Sequence, residues 1–113
     1  MSEEVNGWKN AETWTFMLWT NNDQGDQEFA HEVVRGVLAR EDDVADSWVG
    51  SRVIDETKDR LLEAIEAWPS FDNMAPVTGS HAFLFLTDVG SWDRIDPQEV
   101  GEALVRDVRE IDG

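Results

Sequence analysis

The chain has 113 residues, 25 acidic against nine basic, a formal net charge of -16 and no cysteine. That length suits one domain of ~100–200 residues, able to bury roughly two thirds of its unfolded surface. Without cysteine there is no disulfide framework, thiol nucleophile or Cys-ligated metal site, and the charge opposes direct contact with DNA, RNA or an anionic membrane.

Mean hydropathy is low, at -0.47, yet six Trp and five Phe are present. Disordered acidic tails are poor in aromatics, so the composition describes a folded domain with an acidic skin. The acid is spread over the whole chain: residues 1–40 carry net -4, residues 41–68 net -6 and residues 69–113 net -6. The start, Met1-Ser2-Glu3-Glu4, lacks the basic and apolar regions of a signal peptide. The longest apolar run, Ala82 to Leu86, is far below the ~20 residues of a membrane span. A cytoplasmic location is therefore expected, the host cytoplasm if the protein is viral.

Residues 1–9 read as an N-terminal arm. A first helix is predicted from Ala11 to about Asn21, with Asn10 as its cap and Glu12 near the positive end of the helix dipole. Trp14, Met17 and Leu18 share one face, and Phe16 and Trp19 fall on the other. Such a helix, apolar nearly all round, is either central to the domain or binds a partner. The polar stretch Asn21 to Gly25 reads as its end. A second helix is expected over Asp26 to Arg40, with Phe29, Val33 and Val37 in one row and Ala30, Val34 and Leu38 in the next.

A third helical region covers roughly Val44 to Trp68. Its apolar stripe is Ile54, Leu61, Leu62, Ile65 and Trp68; Gly50 is a candidate break, and Pro69 ends it. Asp55, Asp59 and Glu63 lie outward at helical spacing with Glu66 beside them. Like charges so placed destabilise a helix by ~0.2–0.5 kcal/mol per pair, partly offset here by Arg52, Lys58 and Arg60.

Residues 69–80 read as a loop. The run from His81 to Val89 suits a buried helix or a buried strand; with no second strand-like run to pair with, helix is favoured. A last helix starts with Asp96 as cap, Pro97 first and Glu99 third, and carries Val100, Leu104, Val105 and Val108. The expectation is a mainly α single domain, residues 1–113, of about five helices.

Catalytic and metal-binding motifs are weak. Glu28 and His31 have Glu-x-x-His spacing, but a di-metal bundle needs two such pairs plus two further Glu, and His81 has no Glu three residues before it. The pair is expected to be ordinary surface. Ser80, His81 and Asp88 are the residue types of a hydrolase triad, yet no Gly-x-Ser-x-Gly elbow exists; Ser80 is expected to cap a helix. Asp88, Asp93 and Asp96 do not fit calcium-loop spacing. No cofactor, metal or catalytic set is expected. Most of Trp8, Trp14, Trp19, Trp48, Trp68 and Trp92 are expected to build the core. Trp8, ahead of the first helix, and Trp19, off its main stripe, are the candidates for an apolar interface.

The segment Asn6-Gly7-Trp8-Lys9-Asn10-Ala11-Glu12-Thr13-Trp14, with Leu18-Trp19 and Asn21-Asn22-Asp23 after it, resembles a family of small uncharacterised proteins of phages, plasmids, bacteria and haloarchaea. These begin Asn-Gly-Trp-x-Asn-x-Glu-Thr-Trp, usually with an aromatic where this chain has Ala11. Ile95 to Gly101 is similar to their C-terminal helix start but lacks its Trp. The resemblance implies a setting, small accessory proteins of mobile elements, and no activity.

Two functions from different classes fit the charge. One is a non-enzymatic protein that binds a basic protein partner, as a DNA mimic against a host nucleic-acid-binding or defence system. Sixteen charges equal those of ~27 Å of duplex. Asp55, Asp59, Glu63 and Glu66 would be its acidic contacts. The other is salt adaptation in a halophile or its virus, where acid only solvates the surface of a small oligomeric or scaffold protein. Seven Arg against two Lys suits that reading, as does the even spread of acid.

Overall fold

The computed structural model describes residues 7–41, 43–68 and 76–113. Five α-helices follow in order: α1 Ala11–Asn22, α2 Gln24–Arg40, α3 Asp46–Glu66, α4 His81–Val89 and α5 Pro97–Asp112, with short 3-10 turns at Val77–Gly79 and Trp92–Arg94. No strand forms among the described residues, so the run from His81 to Val89 is a helix. The described body is mainly α and measures 50 × 39 × 21 Å. Residues 1–6 of the expected arm and 69–75 of the expected loop lie outside the described residues.

The helix starts follow their caps. Asn10 accepts from the Thr13 N–H at 2.8 Å, Ser80 from Phe83, and Asp96 from Gln98 with Pro97 in the first helical position. Asp23 accepts from Asp26 N–H and caps α2 directly after α1, so α2 starts at Gln24, two residues before the expected Asp26. Gly90, with φ +79°, turns the chain out of α4 in a conformation that side chains disfavour. The Trp92 indole then donates to the Leu86 carbonyl, one of the carbonyls left open at the end of α4.

The core joins all five helices around Phe16, Phe85 and Trp92, whose ring centres lie 5.6–5.9 Å apart in tilted, edge-on and stacked pairs. The buried face of α1 is Thr13, Phe16, Met17 and Thr20, not the expected Trp14–Met17–Leu18 stripe; Leu18 is exposed. Thr13 can be buried because its hydroxyl donates to Asn10 and accepts from the Asp96 N–H, so no polar group is stranded there. In α2 the core row is Ala30, Val34 and Val37, with Phe29, Val33 and Leu38 half-buried. In α3 Ile54 and Leu61 are buried as expected, Ile65 and Trp68 are half-buried, and Leu62 is exposed.

Gly50 does not break α3. A Cβ on Gly50 would lie 1.8 Å from the Pro97 carbonyl oxygen, and one on Gly101 would lie 1.7 Å from that of Asp46. Each glycine therefore faces the other helix's carbonyl one turn before the opposing glycine. The pair lets α3 and α5 cross with backbone against backbone. Sequence periodicity shows Gly50 only as a weak point, because its use depends on a helix 50 residues away.

Candidate functional site

The N-terminal motif builds a bracket. Asn10 Nδ2 donates to the Arg94 carbonyl at 2.8 Å while its Oδ1 caps α1. Thr13 takes the Asp96 N–H, and the Lys9 N–H donates to Glu99 Oε1 at 2.7 Å. In a capping box Glu99 would reach back to the Asp96 N–H. Here Thr13 has that donor, and Glu99 serves the incoming chain instead. Lys9 pairs with Asp96 and Glu12 with Arg94. Trp8, half-buried, rests beside Glu99, Glu102, Ala103 and Arg106 at the side of α5.

The other tryptophan candidate has a different setting. Trp19 is half-buried, stacks on Phe85 at 5.3 Å, meets the His81 ring edge-on and donates its indole N–H to Asp88 at 2.7 Å. Trp8 and Trp19 thus pack against different helices and do not share one patch. Of the six tryptophans only Trp92 is buried, and Trp48, expected in the core, is 48% exposed.

The acidic row is brought together as its spacing implies. Asp55, Asp59, Glu63 and Glu66 are all exposed on α3. None of them makes an ion pair or a side-chain hydrogen bond among the described residues. The arginines of the same helix are engaged elsewhere. Arg52 holds Glu56 at 2.6 Å, and Arg60 leaves the row to reach Asp26 of α2 at 2.8 Å, its guanidinium lying over the Phe29 ring. Two of the three bases expected to offset the row are therefore turned to other partners, and exposed Lys58 is the one left beside it.

Arg60 belongs to a cluster that sequence reading missed. Asp26 is 4% exposed, with Oδ1 on Arg60 and Oδ2 at 2.6 Å from His81 Nε2. Asp23 Oδ2 lies 3.9 Å from the same nitrogen. His81 thus faces Asp26, and Asp88 serves Trp19 rather than His81. Ser80 caps α4 as expected and donates its own hydroxyl hydrogen to the Val77 carbonyl. His31, expected at the surface with Glu28, is buried, while Glu28 is exposed. The sequence signal for the cluster was only the Asp-x-x-Asp at the start of α2; Arg60 and His81 lie 34 and 55 residues beyond Asp26.

At the far end of α5, Arg35 makes a two-pronged pair with Asp112, both bonds at 3.0 Å. The hydrogen bond from Arg35 holds the Asp112 carboxyl below the usual carboxylate range. No described helix is long and apolar enough to cross a membrane.

The sequence model of a family of unknown function, DUF7249, matches residues 1–81. The chain belongs to that family. The matched span holds the whole N-terminal motif and the acidic row, but stops before Arg94, Asp96 and Glu99, which complete the bracket. No curated protein and no solved structure matches the chain.

Proposed function

We propose that this is a non-enzymatic acidic accessory protein of a phage or other mobile element, which binds a basic protein partner in the cytoplasm by imitating nucleic acid. The observation that carries the reading is the row Asp55, Asp59, Glu63 and Glu66, exposed together on α3. On an α-helix these four span about 16 Å, roughly one carboxylate per 5 Å, against one phosphate per ~3.4 Å of a DNA strand. The engagement of Arg52 and Arg60 elsewhere favours this reading over a merely solvated face, because it turns two of the three bases of α3 away from the row. A non-enzymatic role agrees with Ser80 and Asp88 being committed to a helix cap and an indole.

The test is retention of host proteins on the immobilised protein, with duplex DNA as competitor. Nucleic-acid-binding proteins should be retained and released by DNA or by moderate salt, since the Debye length is ~8 Å at physiological ionic strength. A variant with all four acids reversed to Lys should keep its helical spectrum and retain none. Retention unchanged by that reversal would sink the proposal.

One observation favours salt adaptation as a second reading: exposed acids also stand on α2 and α5, at Glu28, Glu32, Glu102 and Glu110. That reading requires a chain unfolded in dilute buffer that folds only in molar KCl. Far-UV circular dichroism across a KCl series separates the two.

A further inference from the structure

We propose that Asp23, Asp26 and His81 form a binding site for a divalent metal ion of the zinc type. Each side chain offers one donor atom, and the three lie within 4.8 Å of one another. Metal bonds of ~2.1 Å at tetrahedral angles put neighbouring ligand atoms about 3.4 Å apart. The two separations from His81 Nε2, 2.6 Å to Asp26 and 3.9 Å to Asp23, fall on either side of that value. Tetrahedral spacing lengthens the first by about 0.8 Å and shortens the second by about 0.5 Å, and the side chains of Asp23 and His81 are each 44% exposed.

The carboxylates are prepared for this on their other oxygens. Asp26 Oδ1 is held by Arg60 from α3, and Asp23 Oδ1 by a backbone N–H of α2. Each therefore keeps Oδ2 facing the imidazole. Partners behind the ligating oxygens are what orient metal-bound carboxylates. Asp26 is the decisive member. It is almost fully buried, and its Oδ2 has one hydrogen-bond partner among the described residues, the imidazole itself. That makes it a fixed anchor, unlike the free solvated acids of the α3 row. One nitrogen with two carboxylate oxygens suits zinc better than calcium or magnesium, which take oxygen sets. With Arg60 included, the fixed charges around the site total -1. The exposed sides of Asp23 and His81 leave a fourth position to water.

The test is calorimetric titration of chelator-stripped protein with zinc chloride, in millimolar magnesium to saturate non-specific acidic sites. One zinc per chain is expected, with affinity at least tenfold weaker in His81→Ala and in Asp23→Asn. Asparagine still caps α2, so Asp23→Asn tests the ligand without removing the cap. Cobalt should give tetrahedral visible bands in the wild type that both variants lose. If His81→Ala loses its helical spectrum, Asp23→Asn decides. No zinc uptake in magnesium, several ions per chain, or uptake equal in wild type and Asp23→Asn would overturn the site.

Discussion

Replacing Gly101 by alanine tests the crossing of α3 and α5. The new Cβ would sit 1.7 Å from the Asp46 carbonyl oxygen and 2.6 Å from its carbon, where ordinary contact begins at 3.4 Å. Backbone cannot swing aside as a side-chain tip can, so the helices must part by roughly 1.7 Å, the shortfall from that contact. A gap of only ~0.5–1 Å already forfeits a quarter to a half of each dispersion contact. Val49, Val53, Val100 and Leu104, all fully buried beside the two glycines, would bear that loss. Over-packing costs typically ~1–3 kcal/mol, and this case lies at or above the upper end. Alanine's better helix propensity returns ~1 kcal/mol, leaving a net loss of about 2–3 kcal/mol. For a domain of this size that lowers Tm by about 10 °C. Thermal and urea unfolding followed by far-UV circular dichroism measure it. Gly36→Ala is the control: it lies inside α2 with no atom within 4 Å of the added methyl group, and should stabilise by up to ~1 kcal/mol. If Gly101→Ala stays within about 0.5 kcal/mol of wild type, the usual effect of a surface change, the close crossing is wrong.

Asn10→Ala removes both the cap of α1 and the bond to the Arg94 carbonyl. The expected loss is about 2 kcal/mol by urea unfolding, and Asn10→Ser, which keeps a capping oxygen but no donor for the Arg94 carbonyl, should lose about half of that. Because the folded Asp112 carboxyl lies below its unfolded value, the Arg35 pair favours the fold above the unfolded pKa and is lost as pH falls through the folded one. In an NMR titration the Asp112 carboxyl should therefore titrate below ordinary carboxylates and move back up in Arg35→Gln. An unmoved midpoint would remove the pair as the cause.

Elements that depend on neighbours in sequence were legible, and those that depend on distant partners were not. The caps at Asn10, Ser80 and Asp96 are local chemistry, and α1, α4 and α5 begin where those residues place them. The buried face of α1 was misread because Thr13 and Thr20 look polar. Thr13 becomes a core residue only once Asp96, 83 positions on, offers its N–H. Trp48 was misread in the other sense, since an aromatic at helical spacing gives no sign that its face has no cover. The acidic row on α3 was fully legible, being a matter of spacing on one helix. That Arg60 would desert it for Asp26 was not, because nothing local selects a partner on another helix.

The bracket made by Asn10 and Thr13 also constrains the order of folding. Its partners are main-chain groups of Arg94 and Asp96, up to 84 positions later in the chain. During synthesis, at ~5–20 residues per second, the motif leaves the ribosome several seconds before anything exists for it to hold. Closing so long a loop costs entropy that only the finished contacts return, so docking of α1 onto the start of α5 belongs among the late events. Asn10→Ala should then mainly accelerate unfolding and leave the folding rate nearly unchanged. Because Asn10 and Thr13 grip main-chain groups, those two bonds hold the path of the chain whatever side chains stand at 94 and 96, while the ion pairs to Lys9 and Glu12 and the cap of α5 do depend on Asp96 and Arg94.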